Sequence, residues 1–141
     1  MAAPIDTFEF PRTGKKSRNR AVVAAMTNKQ SNEDGTLSDE EINWLIRRAE
    51  GGFGIVTTAA THVVQEGQGW DGEMGVWGDH QLPGLTRLAA GIKEHGAVSL
   101  AQIFHGGMRC PQRLTGVQPV SASINQTSDS DNGETRALEN S

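Results

Sequence analysis

Gly54-Ile-Val-Thr-Thr-Ala-Ala-Thr61 decides the fold, because its apolar and small residues run on without polar alternation. A strand wetted on one face alternates; an unbroken run of this length suits a strand covered on both faces, as in a parallel sheet between helices. Its Val, Ile and Thr favour a strand over a buried helix. Ala21-Val-Val-Ala-Ala-Met26 on one side and Ala97-Val-Ser-Leu-Ala-Gln-Ile-Phe104 on the other read the same way.

The segments between them have helical character. Ser38 and Glu41 have capping-box spacing, in which each side chain satisfies a free backbone N–H of the first turn. Ile42, Leu45, Ile46 and Ala49 follow at one-face spacing. Arg47 and Arg48 suit the negative end of the helix dipole, and Gly51-Gly52 supplies a left-handed exit. Further on, Leu85, Leu88, Ala89 and Ile92 mark a second helix that ends at Gly96. The predicted order is β–α–β–α–β with short returns, which makes the class α/β with parallel strands. The connections after the strands, at 27–37 and 62–79, are the long ones. In such folds these loops carry the chemistry.

Composition narrows the partners. A net charge of -4 over 141 residues leaves no basic stripe for phosphates, so nucleic acid is not expected. No run approaches the ~20 apolar residues of a membrane span. The start lacks a secretion signal, and the single Cys110 suits a reducing compartment, so the expected location is cytoplasmic. Residues 1–20 are polar and read as a hairpin or plug, and residues 21–124 as the barrel portion. Residues 125–141 form a polar tail expected to be disordered in isolation. His62, His80, His95 and His105 with Cys110 match no metal-ligand spacing, so no metal is expected. His105 is expected to bond a neighbouring loop, and Trp70 and Trp77 to cover the barrel's edge.

Three motifs add a resemblance. Arg18-Asn-Arg-Ala-Val-Val-Ala-Ala-Met-Thr27, Arg48-Ala-Glu-Gly-Gly-Phe-Gly-Ile-Val-Thr-Thr-Ala-Ala-Thr61 and Gln102-Ile-Phe-His-Gly-Gly107 appear in that order. Together they resemble signatures of the old yellow enzyme family of flavin oxidoreductases. Ala25 stands where that family usually places Pro, and Met108 where it commonly places Arg. The resemblance implies the first three βα units of a (β/α)8 TIM barrel, with FMN across its C-terminal mouth and NAD(P)H as hydride donor. The implied cofactor-binding residues are Ala24, Ala25, Met26, Thr27, Ala60 and Gln102, and no catalytic residue is expected in this chain.

The residue types suit that assignment. A flat ring system needs small side chains for close approach, which the alanines provide. The Gln102 amide both donates and accepts, matching a mixed edge. A hydroxyl donor at Thr27 would stabilise negative charge on a reduced ring and raise its potential. The family's substrate-holding His/Asn pair, proton-donating Tyr and phosphate-binding groups come from later strands. A full barrel takes ~250 residues. The chain is therefore expected to pair with a complementary C-terminal barrel segment or a second copy and to act on an enone-like small molecule. The alternative is a non-catalytic half-barrel used for interaction or oligomerisation.

Overall fold

A computed structural model describes residues 1–127 and 133–138. The central strand is β4 (Ile55–His62), preceded by β1 (Phe8–Glu9), β2 (Lys16–Ser17), β3 (Val22–Val23) and α1 (Asp39–Glu50). After it come β5 (Met74–Gly75), α2 (Leu82–Glu94), β6 (Val98–Phe104), α3 (Gln112–Thr115), β7 (Val120–Ser121) and β8 (Arg136–Ala137). β3, β5 and β6 all run parallel to β4. The β6 ladder covers β4 from Ile55 to His62, so β3 and β5 share the opposite edge, one near each end. Strands parallel to one another with helices between them are the opening of a (β/α) barrel.

The first predicted strand is much shorter than its apolar run. Ala21 to Met26 reads as one strand, yet only Val22 and Val23 pair, with Ile55 and Val56. Beyond Val23 no ladder holds the chain, and polar contacts of the following loop take over.

Packing follows the predicted helix faces. Ile42, Leu45 and Ala49 of α1 and Leu88 and Ile92 of α2 form one core with Val23, Val56 and Ala97 beneath them. The cap of α1 differs from the expected box. Ser38 Oγ accepts the Glu41 N–H at 3.1 Å, but the Glu41 carboxylate turns to the loop after β3 instead of back to Ser38. At the other end Gly51 N–H reaches Arg47 O, and the left-handed exit falls on Gly52, with φ 106°.

The N-terminal side is stapled by side chains. Arg18 donates to Ala49 O and Phe53 O, and Asn19 donates to Gly52 O at 2.7 Å while accepting the Ala21 N–H. These bonds tie the entry of β3 to the return between α1 and β4. β1 and β2 form an antiparallel hairpin, and Phe8 meets Phe10 edge-on beneath the Arg20 guanidinium. Of the polar tail, 128–132 and 139–141 lie outside the described residues. The rest returns to the fold, where β8 pairs parallel with β7 and Thr135 is buried.

Candidate functional site

The strands end in loops that are tied to one another. Ser31 N–H donates to Gly72 O at 3.2 Å and Gly75 N–H to Gly35 O at 2.9 Å. The Gln81 amide reaches Asp34 O at 3.3 Å. The loop after β3 is thereby fixed against the loop after β4, and both stand on the side where a barrel places its site.

The expected site residues fall on three neighbouring chain segments. Ala24, Met26 and Thr27 are exposed just past β3, and Ala25 is half-buried. Ala60 on β4 is partnered with Gln102 on β6. Gln102 is exposed and Ala60 is buried. This register follows a slip: Thr57 pairs with Leu100, then Ala60 with Gln102, so β4 carries one extra residue. The Thr58 hydroxyl fills the resulting gap by accepting the Gln102 N–H at 3.2 Å. Bulges of this kind re-aim side chains next to functional sites.

The loop after β3 holds an uncommon backbone. Lys29 has φ 55°, the only positive value at a non-glycine among the described residues. For a residue with a Cβ this costs about 1–2 kcal/mol. Gly72 lies against it, and a Cβ there would sit 2.6 Å from Lys29 O. Arg113 donates to Asp71 at 2.9 Å and holds that carboxyl below its ordinary range, with the Lys29 charge adding to the effect. Sequence reading missed this loop's anchor, because Asn28, Ser31 and Glu41 are too far apart in the chain for spacing to reveal.

A buried titratable pair sits at the end of β4. Trp77 Nε1–H donates to His62 Nε2 at 3.0 Å, and His62 Nδ1 lies 3.8 Å from Glu73 Oε2. Glu73 Oε2 accepts the Gly69 N–H at 2.6 Å. Burial pushes the Glu73 carboxyl up to about 7 and the His62 imidazole down. The Trp77 bond leaves Nε2 as the acceptor, so a neutral His62 carries its proton on Nδ1. Trp77 is thus a partner of a buried histidine, while Trp70 tilts against Phe104 at 5.2 Å. His105 Nδ1 accepts the Gly107 N–H at 2.9 Å, a bond to its own loop.

A parallel sheet with helices between its strands and long loops after them defines a (β/α) barrel portion. The profile of the NADH:flavin oxidoreductase / NADH oxidase family matches residues 12–140. The chain belongs to that family. It is 39% identical over 115 residues to the probable NADH-dependent flavin oxidoreductase YqiG of Bacillus subtilis, covering 82% of this chain and 30% of that protein. It is 37% identical over 124 residues to the NADH:acrylate oxidoreductase of Vibrio harveyi, covering 87% of this chain and 12% of that one. Among solved structures, the old yellow enzyme homologue from Zymomonas mobilis superposes with a TM-score of 0.87 at 26% identity. That superposition covers 97% of this chain and 40% of the other, so the chain spans well under half the length of these relatives.

Family membership brings FMN and a nicotinamide nucleotide as cofactors. The residues present fit a flavin ring. The Thr27 hydroxyl and the Gln102 amide are exposed, and neither side chain has a hydrogen-bond partner among the described residues. Ala60 pairs with Gln102 across the ladder, and Ala24 and Ala25 precede Met26 and Thr27 in the chain. No helix among the described residues is long and apolar enough to cross a membrane.

Proposed function

We propose that this chain supplies the floor of an FMN site in an oxidoreductase that reduces activated alkenes with hydride from NAD(P)H. The observation that carries this reading is the pairing of Ala60 with Gln102 on adjacent parallel strands, together with an exposed Thr27 hydroxyl past the end of β3 that has no hydrogen-bond partner among the described residues. Ala24, Ala25 and Ala60 would allow close approach of the ring, and the Met26 backbone would line it. Gln102 would bond the pyrimidine edge through both halves of its amide, and Thr27 would donate near the reactive nitrogen. FMN when bound supplies a two-electron carrier between nicotinamide and substrate.

The remaining walls, the phosphate anchor and the proton donor would come from a complementary barrel segment or a second copy. Leu100 and Ile103 on β6 are 43% and 73% exposed, which leaves apolar surface for such a partner to cover. That surface equally serves the second reading, a half-barrel used only for association. A buried free thiol at Cys110 supports a cytoplasmic location.

Titrating FMN against the chain, with and without the complementary segment, tests the proposal by quenching of flavin fluorescence. Saturable binding that Thr27→Ala weakens supports it. Stable association with no response to FMN would leave only the half-barrel reading.

A further inference from the structure

We propose that Glu41 is a positioning residue for the flavin-facing loop, acting through Asn28 and Ser31; this rests on the reading that Met26 and Thr27 meet FMN. The Glu41 carboxylate is fully buried in the first turn of α1. Its two oxygens take donors from the loop after β3: Oε1 from Asn28 Nδ2 at 2.9 Å and Oε2 from the Ser31 hydroxyl. A buried carboxylate is costly unless hydrogen-bonded, and the positive end of α1 adds to what these two donors provide.

The helix itself makes little use of this side chain. Ser38 caps α1 through its own hydroxyl, so the carboxylate is free to reach outward. What it holds is the start of that loop, residues 28–31, which is otherwise tied to the fold through the Ser31 N–H on Gly72 O. Asn28, gripped by Glu41, accepts the Gln30 N–H at 3.2 Å and so closes a turn around Lys29. Lys29 sits in the left-handed region, which a released loop would leave. Ser31, gripped by the other oxygen, pins the turn to Gly72. Thr27 is the residue immediately before this clamp. Beyond Val23 no strand ladder fixes it, so the clamp sets where its hydroxyl stands relative to Gln102.

The test compares Glu41→Gln, Ser31→Ala and Thr27→Ala in the flavin-loaded protein. It measures FMN affinity, the flavin midpoint potential, and hydrogen exchange at the Gln30 and Ser31 amides. Glu41→Gln keeps the side-chain shape but sets an NH2 against a donor. It should speed exchange at both amides by roughly tenfold and weaken FMN binding by a similar factor. The potential should move in the direction that Thr27→Ala moves it. Ser31→Ala should do the same more weakly, and combining it with Glu41→Gln should add little. If Thr27→Ala shifts affinity and potential while Glu41→Gln and Ser31→Ala shift neither, the positioning role is overturned and the flavin reading stands. If Thr27→Ala shifts neither, the flavin reading fails and this inference with it. Should Glu41→Gln not fold, Ser31→Ala decides: unchanged exchange and unchanged potential overturn the proposal.

Discussion

The hydroxyl of Thr58 accepts the backbone N–H of Gln102 at 3.2 Å, at the place where the β4–β6 ladder slips by one residue. The same oxygen donates to Ala59 O at 2.7 Å, so one side chain closes both sides of the irregularity. Thr58→Val keeps the volume and β-branching but leaves a backbone donor without its acceptor. It should cost about 1–3 kcal/mol of stability. Urea unfolding measures it, and a change within a few tenths would show that the hydroxyl does not sustain the slip.

Glu73 gives the chain a pH-dependent stability. Below about pH 4.5 its carboxyl is protonated whether the chain is folded or not; between 4.5 and about 7 the unfolded chain releases a proton that the folded chain keeps. Stability therefore falls as pH rises through this window, by up to about 3 kcal/mol once the folded carboxyl ionises. His62 acts in the opposite sense. Burial lowers its pKa below 6.5, so the unfolded chain takes up a proton first as pH falls. Glu73→Gln should stabilise at pH 8 and leave stability at pH 4 unchanged. Thermal melts at the two pH values check this, and an equal shift at both would refute it.

Cys110 should behave as an inert thiol. It is fully buried, and desolvation pushes it up to about 11. The thiolate is the reactive form, so a disulfide reagent at pH 8 should label the native chain far more slowly than the denatured one. Equal rates in the two states would contradict the packing around Gly106 and Gly107.

Lys29 and Gly72 should respond in opposite directions. Lys29→Gly relieves the left-handed backbone at the entropic cost of a glycine, for a net gain of about 0.5–1 kcal/mol. Gly72→Ala, with φ 73° and Lys29 O beside the new methyl, should lose more than that. Denaturant midpoints measure both. Destabilisation by Lys29→Gly would mean that the turn does not need its present backbone.

The layered fold was legible because it rests on local signals. Ser38 caps α1, Ile42, Leu45 and Ala49 are buried, and the runs beginning near Ile55 and Val98 form parallel strands. The family and its cofactors were legible from the three ordered motifs. What escaped was long-range polar bonding. Glu41 has the spacing of a capping-box partner, yet its carboxylate goes to Asn28 and Ser31, a choice that only the folded loop offers. The extent of the first strand was misjudged for a related reason. Apolar runs mark burial, but pairing requires a neighbour, and Ala24 to Thr27 have none on β4. The His62–Glu73 pair was also invisible, since its members meet only when the loop after β4 folds back on that strand.

The FMN floor is tested most directly by following the visible flavin absorption band as the chain and its complementary barrel segment are titrated into FMN. A saturable shift of the band is expected. Thr27→Ala should weaken binding by roughly tenfold, the equivalent of one lost hydrogen bond to the ring, and Gln102→Ala, which removes two, by more. A band that stays that of free FMN, or binding indifferent to both substitutions, would contradict the FMN floor.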